Sequence, residues 1–278
     1  MNAMSRLLSI GKSLNIMSFT KNKAQKQNKF AAGQAKIGIL GYGEVGQAIA
    51  KFYGSASSPQ VKIKDLKRND GLAGVEILHI CLPWNKDFIK IVKKEIKEIK
   101  PGLVIIHSTV APGTTREICS GLPRACRGVV HSPVRGVHPK LFEGIKTFVK
   151  YIGADNKRVG EMVKQHLEGL GMRTKVFMPS VATEIGKLLD TTYYGICIAW
   201  HGEMEKICDK FGVNFNEAVT DFNQSYNDGY AKLGKRNVVR PVLYAPKDGI
   251  GGHCVVPNAK ILKKYFQSKA IDLILKYQ

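Results

Sequence analysis

The chain has 278 residues, 44% of them apolar, and a formal net charge of +21. That length suits about two domains, and no apolar run nears the roughly 18 residues of a membrane span, so a soluble protein with no membrane partner is expected. The six cysteines (Cys81, Cys119, Cys126, Cys197, Cys208, Cys254) contain no CxxC pair and the seven histidines no HxxxH pair, which argues against a metal or disulfide framework and for a reducing, cytoplasmic setting.

Residues 1–34 come first, rich in Ser, Asn and Gln; through Lys36 there are seven basic residues and no acidic one. Freedom from acids is a transit-peptide trait, but Arg6 is the sole arginine, and the expectation is a basic disordered tail. Charge of this sign attracts phosphates. A nucleotide is favoured over nucleic acid, because no reading motif or interleaved aromatics accompany the tail.

From residue 35 the pattern changes. Lys36–Leu40 reads as a short apolar strand, followed by Gly41-Tyr42-Gly43-Glu44-Val45-Gly46 and a helix through Phe52. Val61–Lys64 alternates as a strand that ends at Asp65, and Ile77–Leu82 is another, closed by Pro83. Apolar residues recur at helical spacing between Lys86 and Lys100. A strand at Leu103–Ile106 enters Ser108-Thr109-Val110-Ala111-Pro112-Gly113, and further strands are expected at Gly128–Val130 and Phe148–Ile152. Strands alternating with helices predict an α/β domain over 35–180, a Rossmann-type doubly wound parallel sheet.

From Val181 the strands stop. Val181–Phe211 reads as one long helix with Ile185, Leu188, Leu189, Ile196, Ala199, Ile207 and Phe211 inside and Gly212 ending it. Helical pieces run to Gly234, a loop spans Arg240–Pro246, and a last helix is expected over Ala259–Tyr277, with Phe266 on its apolar face. An all-helical domain over 181–278 follows.

The glycine turn is the first chemical signal. It follows a strand and opens a helix, and Asp65 stands 19 residues past its last glycine. In dinucleotide-binding folds such glycines admit the pyrophosphate to a helix N-terminus and the acid takes the ribose hydroxyls. NAD is therefore the expected cofactor, although Lys67 and Arg68 would tolerate a 2′-phosphate. The candidate cofactor-binding set is Gly41, Tyr42, Gly43, Glu44, Val45, Gly46 and Asp65, with Leu82, Pro83, Ser108 and Thr109 at later strand ends. The second signal is Asp248-Gly249-Ile250-Gly251-Gly252-His253-Cys254, a cysteine in a glycine-rich loop before a helical stretch. N–H groups of such a loop favour the nucleophilic thiolate.

Over residues 36–262 the chain resembles the nucleotide-sugar dehydrogenase family (UDP-glucose, GDP-mannose and UDP-N-acetylmannosamine dehydrogenases). The resemblance lies in Gly41–Gly46, Ser108–Thr115, Ser132-Pro133-Val134-Arg135, Glu184-Ile185-Gly186-Lys187-Leu188 and Gly251-Gly252-His253-Cys254, in the family's order. It implies oxidation of a primary alcohol through aldehyde to carboxylate with two NAD, on a phosphorylated or nucleotide-linked sugar. Cys254 would add to the aldehyde, Lys187 would stabilise the developing oxyanion, and Thr109 would sit by the nicotinamide and the catalytic water. Glu203 matches a family glutamate, and the long helix would pack across a homodimer.

Three positions depart from the family's pattern. Thr191 stands for an asparagine, Asn258 for an aspartate and Val134 for a glutamate, which makes thioester hydrolysis the step most affected. The family's third domain has no counterpart before Gln278, so a smaller substrate or a partner chain completing the site is expected. The alternatives are a single-oxidation hydroxyacid-type dehydrogenase and a non-catalytic NAD-binding protein.

Overall fold

The computed structural model describes residues 35–54, 61–252 and 254–278; the basic segment 1–34 and His253 lie outside the described residues. The chain divides into two compact units, one running to Ser108 and continuing over Thr114–Val181, the other joining Thr109–Gly113 to Ala182–Gln278. Among the described residues no helix is long and apolar enough to cross a membrane.

The first unit is built on a Rossmann-type sheet of eight strands: β1 (Ile37–Leu40), β2 (Val61–Asp65), β3 (Arg68–Asn69), β4 (Ile77–Ile80), β5 (Leu103–Ile106), β6 (Val129–His131), β7 (Lys150–Gly153) and β8 (Thr174–Phe177). Their spatial order is β3-β2-β1-β4-β5-β6-β7-β8. Every residue of β1, β4 and β5 is buried, as suits parallel strands covered on both faces. Helices α1 (Glu44–Lys51), α2 (Phe88–Ile99), α3 (Thr114–Cys119), α4 (Leu141–Thr147) and α5 (Lys157–Gly169) connect them. The doubly wound parallel sheet expected from sequence is present, with two antiparallel pairings in it, β2 with β3 and β6 with β7. Neither β3 nor β8 carries a long apolar run, which is why neither was anticipated. On α2 the buried Glu95 is neutralised by Lys64 on β2, 2.7 Å away.

A line of polar side chains crosses this apolar core. Tyr53 Oη lies 2.6 Å from His166 Nε2 and 2.8 Å from His79 Nε2. His79 Nδ1 lies 2.8 Å from His107 Nε2, and His107 Nδ1 is 3.0 Å from the Ser132 carbonyl oxygen. A carbonyl only accepts, so His107 is protonated at Nδ1 and accepts at Nε2. His79 must then donate from Nδ1 and accept from the Tyr53 hydroxyl, which in turn accepts from His166. Burial holds the His79 and His107 rings well below the usual imidazole range and pushes the Tyr53 phenol up. Beyond the histidines, the buried Lys150 donates to the carbonyls of Ser132 and Pro133.

The second unit is helical. Its axis is α6 (Val181–Phe211), 31 residues long, closed by Gly212 at φ +65°, a left-handed conformation that glycine adopts freely. A π-helical turn (Asn216–Asp221) leads into α7 (Phe222–Lys232), and α8 (Val255–Lys263) and α9 (Lys269–Lys276) close the chain. The single last helix expected over Ala259–Tyr277 is thus two helices, the second N-capped by Ser268 through the Ala270 N–H. Its expected apolar Phe266 is exposed, in the break. Leu188, Ala199, Val255, Ala259, Leu262, Ile271 and Ile274 form this unit's core. Leu189, Ile207 and Phe211, expected inside, are exposed instead, because α8 and α9 cover only one side of α6. A Cβ on Gly195 would lie 2.4 Å from Val255 and one on Gly202 2.5 Å from the Tyr277 ring; at both glycines the covering side chain presses on the helix backbone.

Candidate active site

The three turn glycines do different work. Gly41, at φ +93°, faces the end of β4, where a Cβ would lie 2.8 Å from the Cys81 carbonyl. A Cβ on Gly46 would lie 2.1 Å from the Gly41 oxygen, so only glycine lets α1 start this close to the turn. A Cβ on Gly43 would meet nothing within 4 Å. Gly43 is the N-cap of α1 and supplies no side-chain cap, so the helix's first N–H groups open toward space that suits an anion. Asp65 ends β2 and accepts the Tyr42 N–H at 2.6 Å, placing a carboxylate beside the turn. Glu44 and the half-buried Val45 begin α1.

Next to it, at the ends of β4 and β5, Ser108 Oγ donates to the Leu82 carbonyl at 2.5 Å, and His131 Nε2 lies 3.0 Å from the Ser108 carbonyl. Leu82 is half-buried and Pro83 exposed. The carboxyl ends of β1, β2, β4 and β5 thus carry the whole candidate cofactor set except Thr109. These residues fit a dinucleotide: a cradle free of Cβ atoms, a helix N-terminus and an acid beside it. Val134 is buried in the apolar core, where a glutamate's charge would be costly to desolvate.

Thr109 falls in the second unit, in the loop that Glu184 ties to α6: the Gly113 N–H donates to the fully buried Glu184 carboxylate at 2.6 Å. Sequence reasoning treated Glu184 only as part of a motif; a charged residue one turn before Lys187, on a helix face that buries Leu188, was the available signal. Lys187 and Thr191 are half-buried on α6. Cys254, also half-buried, caps α8, whose Asn258 is 5% exposed. Asn258 Nδ2 donates to Thr191 Oγ1 at 3.0 Å, so two of the three departures are each other's partners.

Glu203 lies 16 residues past Lys187, about 24 Å along a helix at 1.5 Å per residue. Its carboxylate accepts from Tyr277 Oη at 2.5 Å, Lys276 at 3.0 Å and Lys206 at 3.1 Å, and these partners hold it down to about 2. Tyr277 in turn accepts the Ile250 N–H at its carbonyl, 2.6 Å away. The glutamate therefore fixes the segment that holds the loop before Cys254.

A Rossmann-type sheet whose glycine turn opens a helix has the form of a dinucleotide-binding fold. In sequence, part of the chain is similar to nucleotide-sugar dehydrogenases. No protein-family model matches the chain. The UDP-N-acetyl-D-mannosamine dehydrogenase of Methanococcus maripaludis is 32% identical over 158 residues, 56% of this chain and 34% of that protein. The enzyme of that name from Pyrococcus horikoshii is 24% identical over 72% of this chain and 49% of its own length. The chain thus spans a third to a half of the curated relatives it matches. The solved UDP-D-ManNAc dehydrogenase of P. horikoshii superposes with a TM-score of 0.70 at 19% identity, over 87% of this chain and 67% of that one. A 3-hydroxyisobutyrate dehydrogenase from Mycobacterium tuberculosis has the same fold, with a TM-score of 0.63 at 14% identity, over 87% of this chain and 91% of that one.

Proposed function

We propose that the chain is an NAD-dependent dehydrogenase that oxidises a primary alcohol on an anionic, sugar-like substrate, phosphorylated or nucleotide-linked. What supports this most is the composition of the helical unit. The Thr109–Gly113 loop, Lys187 and Thr191 on α6, and Cys254 and Asn258 on α8 all fold into it, and hydrogen bonds tie the loop to α6 and α6 to α8.

Gly41, Gly43, Gly46 and Asp65 would hold NAD, which would supply the hydride acceptor for the alcohol oxidation and, in a double oxidation, for that of the Cys254 adduct. Lys187 supplies a cation to the oxygen as charge develops on it. The Cys254 thiolate adds to the aldehyde carbon, giving a thiohemiacetal whose further oxidation leaves a thioester. Water then cleaves the thioester, yielding the carboxylate and returning the thiol. With an amide at position 258 and Val134 in the core, neither position offers a carboxylate to activate that water. This favours a second reading, in which the reaction stops after one oxidation.

NADH yield per substrate consumed separates the two, measured by absorbance over a panel of nucleotide sugars, sugar phosphates and small hydroxyacids. The expected result is two NADH, falling to one or none in Cys254→Ser. One NADH and indifference to the substitution would establish the single oxidation. Silence across the panel while NAD still binds would replace both with a non-catalytic NAD-binding role.

The partner proposed for α6 is a second copy of the chain. Leu189, Tyr193, Trp200, Ile207 and Phe211 recur along the helix at spacings of four and seven and are between 49% and 71% exposed, an apolar stripe that water does not favour. Trp200→Glu is expected to shift the sedimentation of the native protein from dimer to monomer. A wild-type chain that sediments as a monomer would remove the proposal.

A further inference from the structure

We propose that Thr191 and Asn258 form a polarity-matched positioning pair, one that requires an uncharged donor at position 258 and sets the contact between α6 and α8. The proposal rests on the reading of Lys187 and Cys254 as the reacting groups. Thr191 follows Lys187 by four residues on α6, and Asn258 follows Cys254 by four on α8. Residues four apart share a helix face, so the pair lies one turn from each of those groups.

The polarity follows from counting protons. Thr191 Oγ1 lies 3.1 Å from the Lys187 carbonyl oxygen and 3.0 Å from that of Leu188. Carbonyls only accept, and a hydroxyl has a single proton, so that proton points back at the helix. Lone pairs are what remains on Oγ1, and the Asn258 amide donates to them at 3.0 Å. Asn258 is itself 5% exposed, and a buried polar group without a partner is costly. A carboxylate at 258 would set lone pairs against lone pairs. The hydroxyl would serve it only by giving up the helix carbonyls.

The same seam is tight one turn on, where Gly195 admits Val255. Contacts therefore pair 191 with 258 and 195 with 255, running in opposite sequence directions, and Lys187 and Cys254 lie on either side of the hydrogen bond. Position 258 adds no negative charge one helical turn from Cys254, where an anion would oppose a thiolate. The pair acts through those groups' placement and through the charge it withholds.

The test is a four-protein cycle of wild type, Asn258→Asp, Thr191→Asn and the double variant. Two quantities are read: the denaturation midpoint, and the rate of Cys254 alkylation by iodoacetamide against pH, followed on the Cys254 peptide by mass spectrometry. Asn258→Asp is expected to lower the midpoint and to slow alkylation at neutral pH on the order of tenfold, by moving the profile upward. Adding Thr191→Asn supplies an amide donor to the new carboxylate, so the midpoint should recover while the profile stays shifted, because the charge remains. An unchanged midpoint in Asn258→Asp, or one that Thr191→Asn does not mend, overturns the polarity match. An unmoved alkylation profile overturns the electrostatic half. Wild-type silence in the NADH assay would fell the enzymatic reading and leave the midpoint cycle intact, so the two failures are distinguishable.

Discussion

A Gly46→Ala variant is expected to lose both stability and NAD, and a Gly43→Ala variant NAD alone. The contrast follows from what each new methyl would meet. At Gly46 it would lie 2.1 Å from the Gly41 carbonyl oxygen, a backbone atom that cannot swing aside. Either the turn or α1 must move, which puts the substitution at the upper end of overpacking, about 3 kcal/mol. At Gly43 the methyl meets nothing within 4 Å. The backbone there, at φ −69° and ψ −165°, is open to any residue. What the methyl does fill is the approach to the α1 N-terminus, where close contact with a pyrophosphate needs glycine. Calorimetric titration with NAD should show at least tenfold weaker binding for Gly43→Ala and no measurable binding for Gly46→Ala. Thermal denaturation should separate the variants in the same order. Wild-type affinity in Gly43→Ala would move the cofactor away from this turn.

Mild acid is expected to destabilise the sheet unit ahead of carboxylate titration. His79 and His107 are neutral in the folded state, their imidazoles held low chiefly by burial. The unfolded chain takes up both protons below an ordinary imidazole pKa of about 6.5. The sign is therefore fixed: stability is complete above about 6.5 and is lost as the pH falls below it, until the folded rings also titrate. Two protons bound only by the unfolded chain give a slope approaching 2.7 kcal/mol per pH unit, about 1.4 for each. The charge of Lys150 also disfavours an added proton on either ring, which extends the fall to lower pH. Each ring nitrogen of His79 and His107 is also already committed as donor or acceptor. An extra proton on either ring would set two donors face to face. Denaturant midpoints measured between about pH 7.5 and pH 5 should show the fall, and His79→Gln should roughly halve its slope by removing one titrating group. A midpoint independent of pH in that range would mean that the line admits protons while folded.

The fold was legible where chemistry is local. The strand, glycine turn and helix over Lys36–Phe52 announce themselves by adjacency, and the long helix by an apolar pattern that stops at Gly212. What depends on register was not legible. His79, His107, His131 and His166 are scattered through the sequence, and only the pairing of β4, β5 and β6 with α5 above them makes a line of three of them. Helical spacing also shows that a residue is apolar without showing that a neighbour covers it, which is how Ile207, Phe211 and Phe266 were placed inside. In the candidate site, Thr191 and Asn258 were visible singly as departures. Their bond joins residues 67 apart and exists only once α8 lies against α6.

The glycines of α6 carry a consequence for motion. Gly186, Gly195 and Gly202 all fall within its 31 residues, and each weakens an isolated helix by about 1 kcal/mol relative to alanine. Val255 and Ile274 press on the helix at Gly195 and the Tyr277 ring at Gly202, so its central turns are as durable as the segments lying on them. Their amide protons should exchange with solvent in step with those of α8 and α9, as one cooperative opening. Whatever loosens the last turns of the chain then reaches Lys187 through the backbone of its own helix.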